Sequence, residues 1–360
     1  MTLKLLKVHG FRNLQSVNIE LDDQINLIVG QNGAGKTSLL EAIYFLMYGK
    51  SPRTHLSSPL IQQAEGSLSI TGLIAWHQVF RDVRVMKNNL QSVIELDGKR
   101  IQKRSEVATL LPVQFFDATT YRHLASGPAY RREFLDWGVF HVEIAFKQLM
   151  QNYKRSLFQR NMALKKGLPD SQIEAWDVKL AESGMRIDQM RQSYFEMIEV
   201  KFRHYWQELG HGHLPLEMSY LRGWEGESVD LPLRLKQELQ RDRRIGFTQV
   251  GIHRADLKVS VYQEDAFNFL SQGQQKIMAY ALYLAQLSVL QTRQSSRGLF
   301  LVDDLPAELD LSRQEKLVEA MLDLGSQLLV SGIYQDQLVS VFKGRPMRVF
   351  RVDHGQLQQM

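Results

Sequence analysis

A chain of 360 residues with 44% apolar content can bury one large core or two moderate ones, which excludes disordered and fibrous classes. It has no cysteine, so disulfides, thiolate metal sites and a cysteine nucleophile are excluded, and 44 basic against 39 acidic residues leave a net charge of +5 that favours polyanionic partners. No uncharged apolar run reaches the roughly 18 residues of a membrane span, and the N-terminal MTLKLLKVHGF mixes basic with apolar residues, so a cytoplasmic protein is expected.

The elements follow from periodicity. Residues 3–8 (LKLLKV) and 16–21 (SVNIEL) alternate as strands do, and the nearly continuous apolar run 25–30 (INLIVG) predicts a buried central strand ending at Gly30. After Lys36 the stretch TSLLEAIYFLMYGK predicts a buried helix closed by Gly49. Residues 67–101 return to short strands, with Asp97 and Gly98 marking a hairpin turn. From about 131 to 210 the pattern is helical: Ile173, Trp176, Leu180, Ser183, Ile187, Met190, Tyr194 and Met197 keep 3-4 spacing, and Gly167 and Pro169 mark a turn from an earlier helix, which makes a helical hairpin. Strand-like pieces recur at 214–221 and 252–262, and the chain closes by alternating strand and helix: 298–304, 313–322, 326–332 and 347–352.

Residues 30–37 are Gly30, Gln31, Asn32, Gly33, Ala34, Gly35, Lys36 and Thr37, a match without exception to G-x-x-x-x-G-K-[ST] between an apolar strand and a helix. Glycines let such a loop curl so that its N–H groups converge on a β-phosphate, and the helix N-terminus adds favourable partial charge. Lys36 is placed to reach the β- and γ-phosphates of ATP, and the Thr37 hydroxyl to hold Mg2+. Such a loop needs a carboxylate at the end of a neighbouring strand, and residues 299–304 (LFLVDD) supply two. Asp303 is expected to bind Mg2+, directly or through water; Asp304, one residue on, is the candidate to orient or deprotonate the attacking water. Pro306 then predicts that the next helix begins near Asp310 or Ser312.

The stretch 270–276 (LSQGQQK) puts Ser271, Gly273 and Gln274 where a long apolar helix begins, farther from Thr37 than a simple nucleotide kinase places its phosphate contacts. A serine hydroxyl, backbone N–H groups and a helix N-terminus together make an anion site. The order of P-loop, long insert, Ser-x-Gly turn, acidic strand end and residues 308–310 (ELD) resembles the ABC-type ATPases. That resemblance implies that Ser271, Gly273 and Gln274 serve the γ-phosphate held by a second protomer, and that residues 308–310 cross between the two.

Within that superfamily the chain resembles the RecF family of recombination and repair proteins, close to SMC proteins in their heads. The resemblance spans nearly the whole length and rests on residues 11–14 (FRNL), 30–44 (GQNGAGKTSLLEAIY), 130–137 (YRREFLDW), 253–257 (HRADL), 270–276 and 301–310 (LVDDLPAELD). It implies an α/β fold: an ABC-type, SMC-like P-loop ATPase head with a second lobe that carries a short helical arm. The expected division is an ATP-binding lobe of residues 1–115 and 294–360 and a second lobe of 116–293, with the arm at about 131–210 and the signature loop. The implied function is an ATP-dependent homodimer that binds gapped, single-stranded or junction DNA, works with RecR and possibly RecO, helps load RecA, supports the SOS response, and hydrolyses ATP slowly under stimulation by DNA. The chain departs from the family pattern at 116–121 (FDATTY), where a Ser-Pro-Glu-Asp type of segment is common, and at Ile252, where proline is common. The alternatives from other classes are an ATP-binding scaffold without turnover and the motor subunit of a membrane transporter.

Other residues invite roles by position. Arg12 matches a head-domain arginine that approaches nucleotide or DNA in related ATPases, and Gln114 stands where a metal- and water-sensing glutamine is expected. Ser331 takes the place of a switch histidine, consistent with slow hydrolysis. Arg131, Arg132, Lys154, Arg155, Lys165, Lys166, Arg241, Arg243 and Arg244 are the candidates for contact with the DNA backbone.

Overall fold

In the computed structural model, residues 1–54, 58–62, 65–224, 230–294 and 296–360 are described, and the side chains of Ser58, His211 and Glu308 lie outside that description. The chain divides into two compact units, Met1–Thr120 with Glu208–Gly210 and Lys276–Met360, and Tyr121–Gln207 with His211–Gln275.

In the first unit the apolar run around Ile28 forms the strand Ile25–Val29, buried at every position. Its lack of alternation has a simple cause. It lies inside a six-stranded sheet in the order Gln356–Gln359, Arg348–Asp353, Ile25–Val29, Gln327–Gly332, Leu299–Val302, Val113–Phe116, parallel except at the first strand and so covered on both faces. A second, antiparallel sheet runs Leu14–Glu20, Thr2–Phe11, Ser67–Trp76, Val79–Asn88, Ser92–Leu96, Lys99–Ile101. The expected Asp97-Gly98 hairpin joins its last two strands, with both residues at positive φ (51° and 73°). The helix Lys36–Tyr48 packs Leu39, Leu40, Ile43, Phe45 and Leu46 into one core with residues of both sheets, including Leu3, Leu6, Ile70, Ile28, Leu301 and Leu329. Two covered sides explain why its sequence is apolar nearly all round, and each fully buried Leu or Ile contributes about 1.5–3 kcal/mol. Gly49 closes it in the left-handed conformation, donating its N–H to Phe45 O at 2.7 Å.

The second unit holds the helices Pro128–Val142, Phe146–Lys165 and Asp170–Trp206, with the last two joined through Gly167 at φ 64° as the predicted hairpin. Ile173, Leu180, Ser183, Ile187 and Tyr194 of the predicted seam are buried. A three-stranded sheet in the order Glu264–Asp265, Asp256–Val261, Leu216–Leu221 packs with them. Periodicity gives no hint of the buried charges inside this unit. Arg160 is fully buried and donates to Asp177, Asp242 and Thr248, which brings together the hairpin and the helix Leu231–Ile245.

The segment after Asp304 differs in part from expectation. The helix Leu311–Asp323 does take Asp310 as its N-cap, Oδ1 accepting the Arg313 N–H at 3.1 Å, yet a short helix Leu305–Glu308 precedes it. Pro306 does not break that helix because it sits in the first turn, where a backbone N–H has no intrahelical partner to lose.

Candidate nucleotide site and signature turn

The strand Ile25–Val29 ends at Gly30, and the chain curls back before the helix Lys36–Tyr48 begins. Glycine is required by two different constraints. Gly33 and Gly35 have φ of 81° and 124°, where side chains are strained, and a Cβ on Gly30 would lie 2.4 Å from the Val352 carbonyl oxygen. Gln31, Asn32 and Gly33 face solvent, whereas Ala34, Gly35 and Lys36 are buried. Lys36 Nζ donates to the carbonyls of Gly30 (2.7 Å) and Gln31 (3.1 Å), so its charge lies within the curl. Burial lowers its pKa, and the charges of Asp304 and Asp303 oppose that shift.

Asp303 and Asp304 follow the strand Leu299–Val302, one strand removed from Ile25–Val29 across Gln327–Gly332. Thr37 Oγ1 donates to Asp303 Oδ2 at 2.7 Å, which joins residues 266 positions apart at one end of the sheet. Ser331 Oγ donates to Asp303 Oδ1 at 2.6 Å and accepts the Asp304 N–H at 2.9 Å. Burial raises the pKa of Asp303; the bonds from Ser331 and Thr37 oppose this, and the nearby carboxylates Asp117 and Asp304 add to it. A Thr hydroxyl beside a carboxylate is a hard-oxygen pair of the kind that suits Mg2+.

Arg12 and Gln114, whose positions invite roles at the nucleotide, already have partners within the fold. Arg12, at φ 52° in the turn after Thr2–Phe11, pairs with the fully buried Glu41, which also accepts from Ser51. Its neighbour Asn13 bears on the loop instead: Nδ2 donates to Gly33 O at 2.9 Å and Oδ1 accepts from Ser38 Oγ at 2.6 Å. Gln114 is buried within Val113–Phe116 and donates to Gln286 Oε1 at 2.9 Å, so it cross-links sheet and helix. Only the FRNL resemblance could have pointed to Asn13, and nothing in the chain's periodicity marks the pairing of Gln114.

In the second unit Ser271 is exposed at the start of Gln272–Gln294. Gln274 Oε1 accepts the Ser271 N–H at 2.9 Å, while the Gln274 N–H points to Ser271 Oγ at 3.4 Å. This is the reciprocal capping arrangement of a Ser-x-x-Gln sequence, so Ser271 and Gln274 have a structural duty in the free chain that the sequence reading overlooked. Gly273 has open space around it, with nothing within 4 Å of an added Cβ.

The block 130–137 is architectural. Arg131 is buried and bidentate to Asp256 (2.8 and 2.8 Å), Arg132 donates to Ala255 O at 2.7 Å, and Asp136 is bidentate to Arg191 (2.8 and 3.0 Å). Arg131 and Arg132 thus bind the block 253–257 and are not free for DNA, and Arg243 is tied to Asp170 and the Leu168 carbonyl. His253 belongs to the same framework: its Nε2 donates to Thr248 O (3.1 Å) and its Nδ1 accepts from Tyr153 (2.7 Å), while burial lowers its pKa to about 4 and keeps it neutral. Arg131→Ala should cost about 3–5 kcal/mol of unfolding free energy in urea by leaving Asp256 buried without its counter-charge, and Arg131→Met with Asp256→Leu should recover most of it. Retained stability with lost DNA binding in Arg131→Ala would instead restore the DNA-contact role.

The family described as RecF/RecN/SMC N terminal domain matches residues 2–358. The DNA replication and repair protein RecF of Shewanella denitrificans is 34% identical, over 99% of this chain and 99% of the relative, and that of Coxiella burnetii (strain RSA 493) is 39% identical over 92% and 93%. Among solved structures, the recombination mediator protein RecF-ATPrS in the RecFOR pathway is similar with a TM-score of 0.87 at 27% identity, covering 99% of this chain and 98% of that one. An SmcHead bound to the C-winged helix domain of ScpA shares the fold at a TM-score of 0.61 and 16% identity. Matched from end to end, with its phosphate loop, acidic strand end and signature turn on an SMC-like head, this chain belongs to the RecF family.

Proposed function

We propose that the protein is an ATP-dependent, DNA-binding recombination mediator of DNA repair and replication, acting in the cytoplasm as a homodimer assembled on ATP. The observation that carries this reading is the bond between Thr37 of the phosphate loop and Asp303 of the strand end, which pairs the two side chains a bound Mg·ATP needs. Residues 30–37 cradle the phosphates, and Lys36 places positive charge on the β- and γ-phosphates. Thr37 and Asp303 hold Mg2+, which when bound neutralises phosphate charge. Asp304 orients or deprotonates the attacking water. Ser271, Gly273 and Gln274 present a hydroxyl and helix N-terminal N–H groups to the γ-phosphate of the second protomer, so that two ATP molecules are buried between two chains. The ATP-binding lobe is taken as 1–115 and 294–360 and the second lobe as 116–293.

ATP binding then shifts a monomer–dimer equilibrium, and slow, DNA-stimulated hydrolysis resets it. The closed dimer binds gapped, single-stranded or junction DNA and works with RecR, and with RecO, in loading RecA and supporting the SOS response. The relatives named for RecF and the RecFOR pathway support this reading. Lys154, Arg155, Lys165, Lys166 and Arg244 of the second unit are exposed and make no ion pair among the described residues, which leaves them the candidates for phosphate contacts with salt-sensitive, weakly selective affinity. Membership of the RecF family displaces the transporter alternative. Sedimentation with and without ATP, repeated with gapped and blunt DNA, tests the reading: a dimer that needs ATP and binds gapped DNA supports it, and a chain that stays monomeric with saturating ATP and DNA overturns it.

A further inference from the structure

Ser331 is fully buried one residue before the end of Gln327–Gly332, the strand between the phosphate-loop strand and the acidic strand. A buried hydroxyl there has to find partners, and both of its partners belong to the acidic turn. It donates to Asp303 Oδ1 (2.6 Å) and accepts the N–H of Asp304 (2.9 Å). With Thr37 on Oδ2 at 2.7 Å, both oxygens of Asp303 are held. The same hydroxyl anchors Asp304, whose backbone is left-handed at φ 53° and ψ 50°. A non-glycine residue adopts that conformation at a cost of about 1–2 kcal/mol, and it persists only where surrounding contacts over-determine it. The half-buried Asp304 makes no side-chain bond at this helix start, so its backbone sets where its carboxylate goes.

We propose that Ser331 is a positioning residue of the nucleotide site: its single hydroxyl fixes the orientation of Asp303 toward Thr37 and the left-handed turn that aims Asp304. The inference rests on the proposed Mg·ATP role of this site. It gives Ser331 a positive role where the sequence suggested only a missing histidine. Without the hydroxyl, Asp303 can rotate about its side-chain bonds and Oδ1 loses its buried donor, while the Asp304 N–H loses its acceptor. A partner that orients a metal-binding carboxylate typically carries a 10- to 100-fold effect on metal affinity or activity.

The test uses the full chain with three substitutions and two readouts. Ser331→Ala removes the hydroxyl; Ser331→Cys keeps its volume with a much weaker donor and acceptor; Ser331→Thr keeps the hydroxyl on a residue that suits a strand. The first readout is the Mg2+ concentration for half-maximal binding of a fluorescent ATP analogue, and the second is the split of ATP hydrolysis into kcat and KM at saturating Mg2+. Ser331→Ala and Ser331→Cys should raise the Mg2+ half-point by about 10-fold and lower kcat by about 10- to 100-fold with KM changed by no more than about threefold, and Ser331→Thr should stay within about threefold of the parent. Parent values in Ser331→Ala and Ser331→Cys overturn the proposal, as does equal impairment of all three, which would assign the effect to packing. If the parent binds Mg·ATP but does not hydrolyse it, the turnover part of the proposed function fails, while the Mg2+ titration still decides for or against Ser331.

Discussion

Lys36→Met abolishes ATP binding and leaves the fold in place. The methionine keeps the buried aliphatic stem, whose residue is only 7% exposed, and removes the ammonium that lies against the Gly30 and Gln31 carbonyls. Hydrogen bonds to charged partners are each worth about 1.5–3 kcal/mol, so losing two to the β- and γ-phosphates weakens binding by about 100-fold or more. The shift in charge has a second effect. Asp303 and Asp304 lose the cation that faces them, and the site gains net negative charge where a polyanion must enter. Titration with a fluorescent ATP analogue reads the affinity, and thermal unfolding reads the fold. The parent's melting midpoint should rise with ATP because only the native state binds, whereas the variant's should stay flat near the parent's ligand-free value. Parent-like affinity in Lys36→Met would remove the loop from the nucleotide site.

What could be read in advance follows from how information is distributed along the chain. A buried parallel strand, a buried helix and a phosphate loop are contiguous, so each writes its own pattern: four apolar residues among the five at 25–29, the all-round apolar stretch after Lys36, and the glycines at 30, 33 and 35. Asp303 was legible for the same reason, as the first polar residue after Leu299–Val302. The partners that hold these pieces are remote. Thr37 and Asp303 are 266 residues apart, Gln114 and Gln286 are 172 apart, and Arg131 and Asp256 are 125 apart. No window of one sequence contains both members of such a pair. Each member alone resembles something ordinary: Ser331 a polar residue near the end of a strand, Arg131 a surface charge.

The buried arginines show how this misleads. Arg131, Arg160 and Arg191 interrupt apolar spacing and so read as solvated faces, yet their guanidinium groups sit inside the second unit with carboxylates placed to receive them. An arginine offers a planar fork that matches a carboxylate in two bonds, which lysine cannot do, and it can therefore join segments that share no apolar contact. That is why the block 130–137, one of those that carry the family resemblance, is structural, and why the DNA candidates shrink to residues such as Lys154, Arg155, Lys165 and Lys166, lysines for the most part, with solvent around them. The charge available for DNA cannot be counted from composition alone, because part of it is already neutralised inside the fold.

The signature turn poses the sharpest version of the same ambiguity, since Ser271 could be there only to cap its helix. Three substitutions separate the two duties. Ser271→Arg fills the turn with a bulky cation and removes the cap; losing the cap costs about 1 kcal/mol, too little to unfold the chain. Each monomer should therefore keep its ATP affinity, while ATP-dependent dimerisation and hydrolysis disappear. Ser271→Ala also removes the cap but adds no bulk, and so reports the hydroxyl's share of the γ-phosphate contact. Ser271→Asp is decisive. Aspartate caps a helix as well as serine does and its charge suits the helix N-terminus, so stability should hold or rise. The same carboxylate, however, would face the γ-phosphate of the partner and repel it. If the trans contact is real, Ser271→Asp gives a stable monomer that binds ATP, sediments as a monomer with ATP present, and hydrolyses at least about 100-fold more slowly than the parent, a change in barrier of about 2.7 kcal/mol. If Ser271 is only a cap, Ser271→Asp dimerises and turns over as the parent does, and Ser271→Arg is merely less stable.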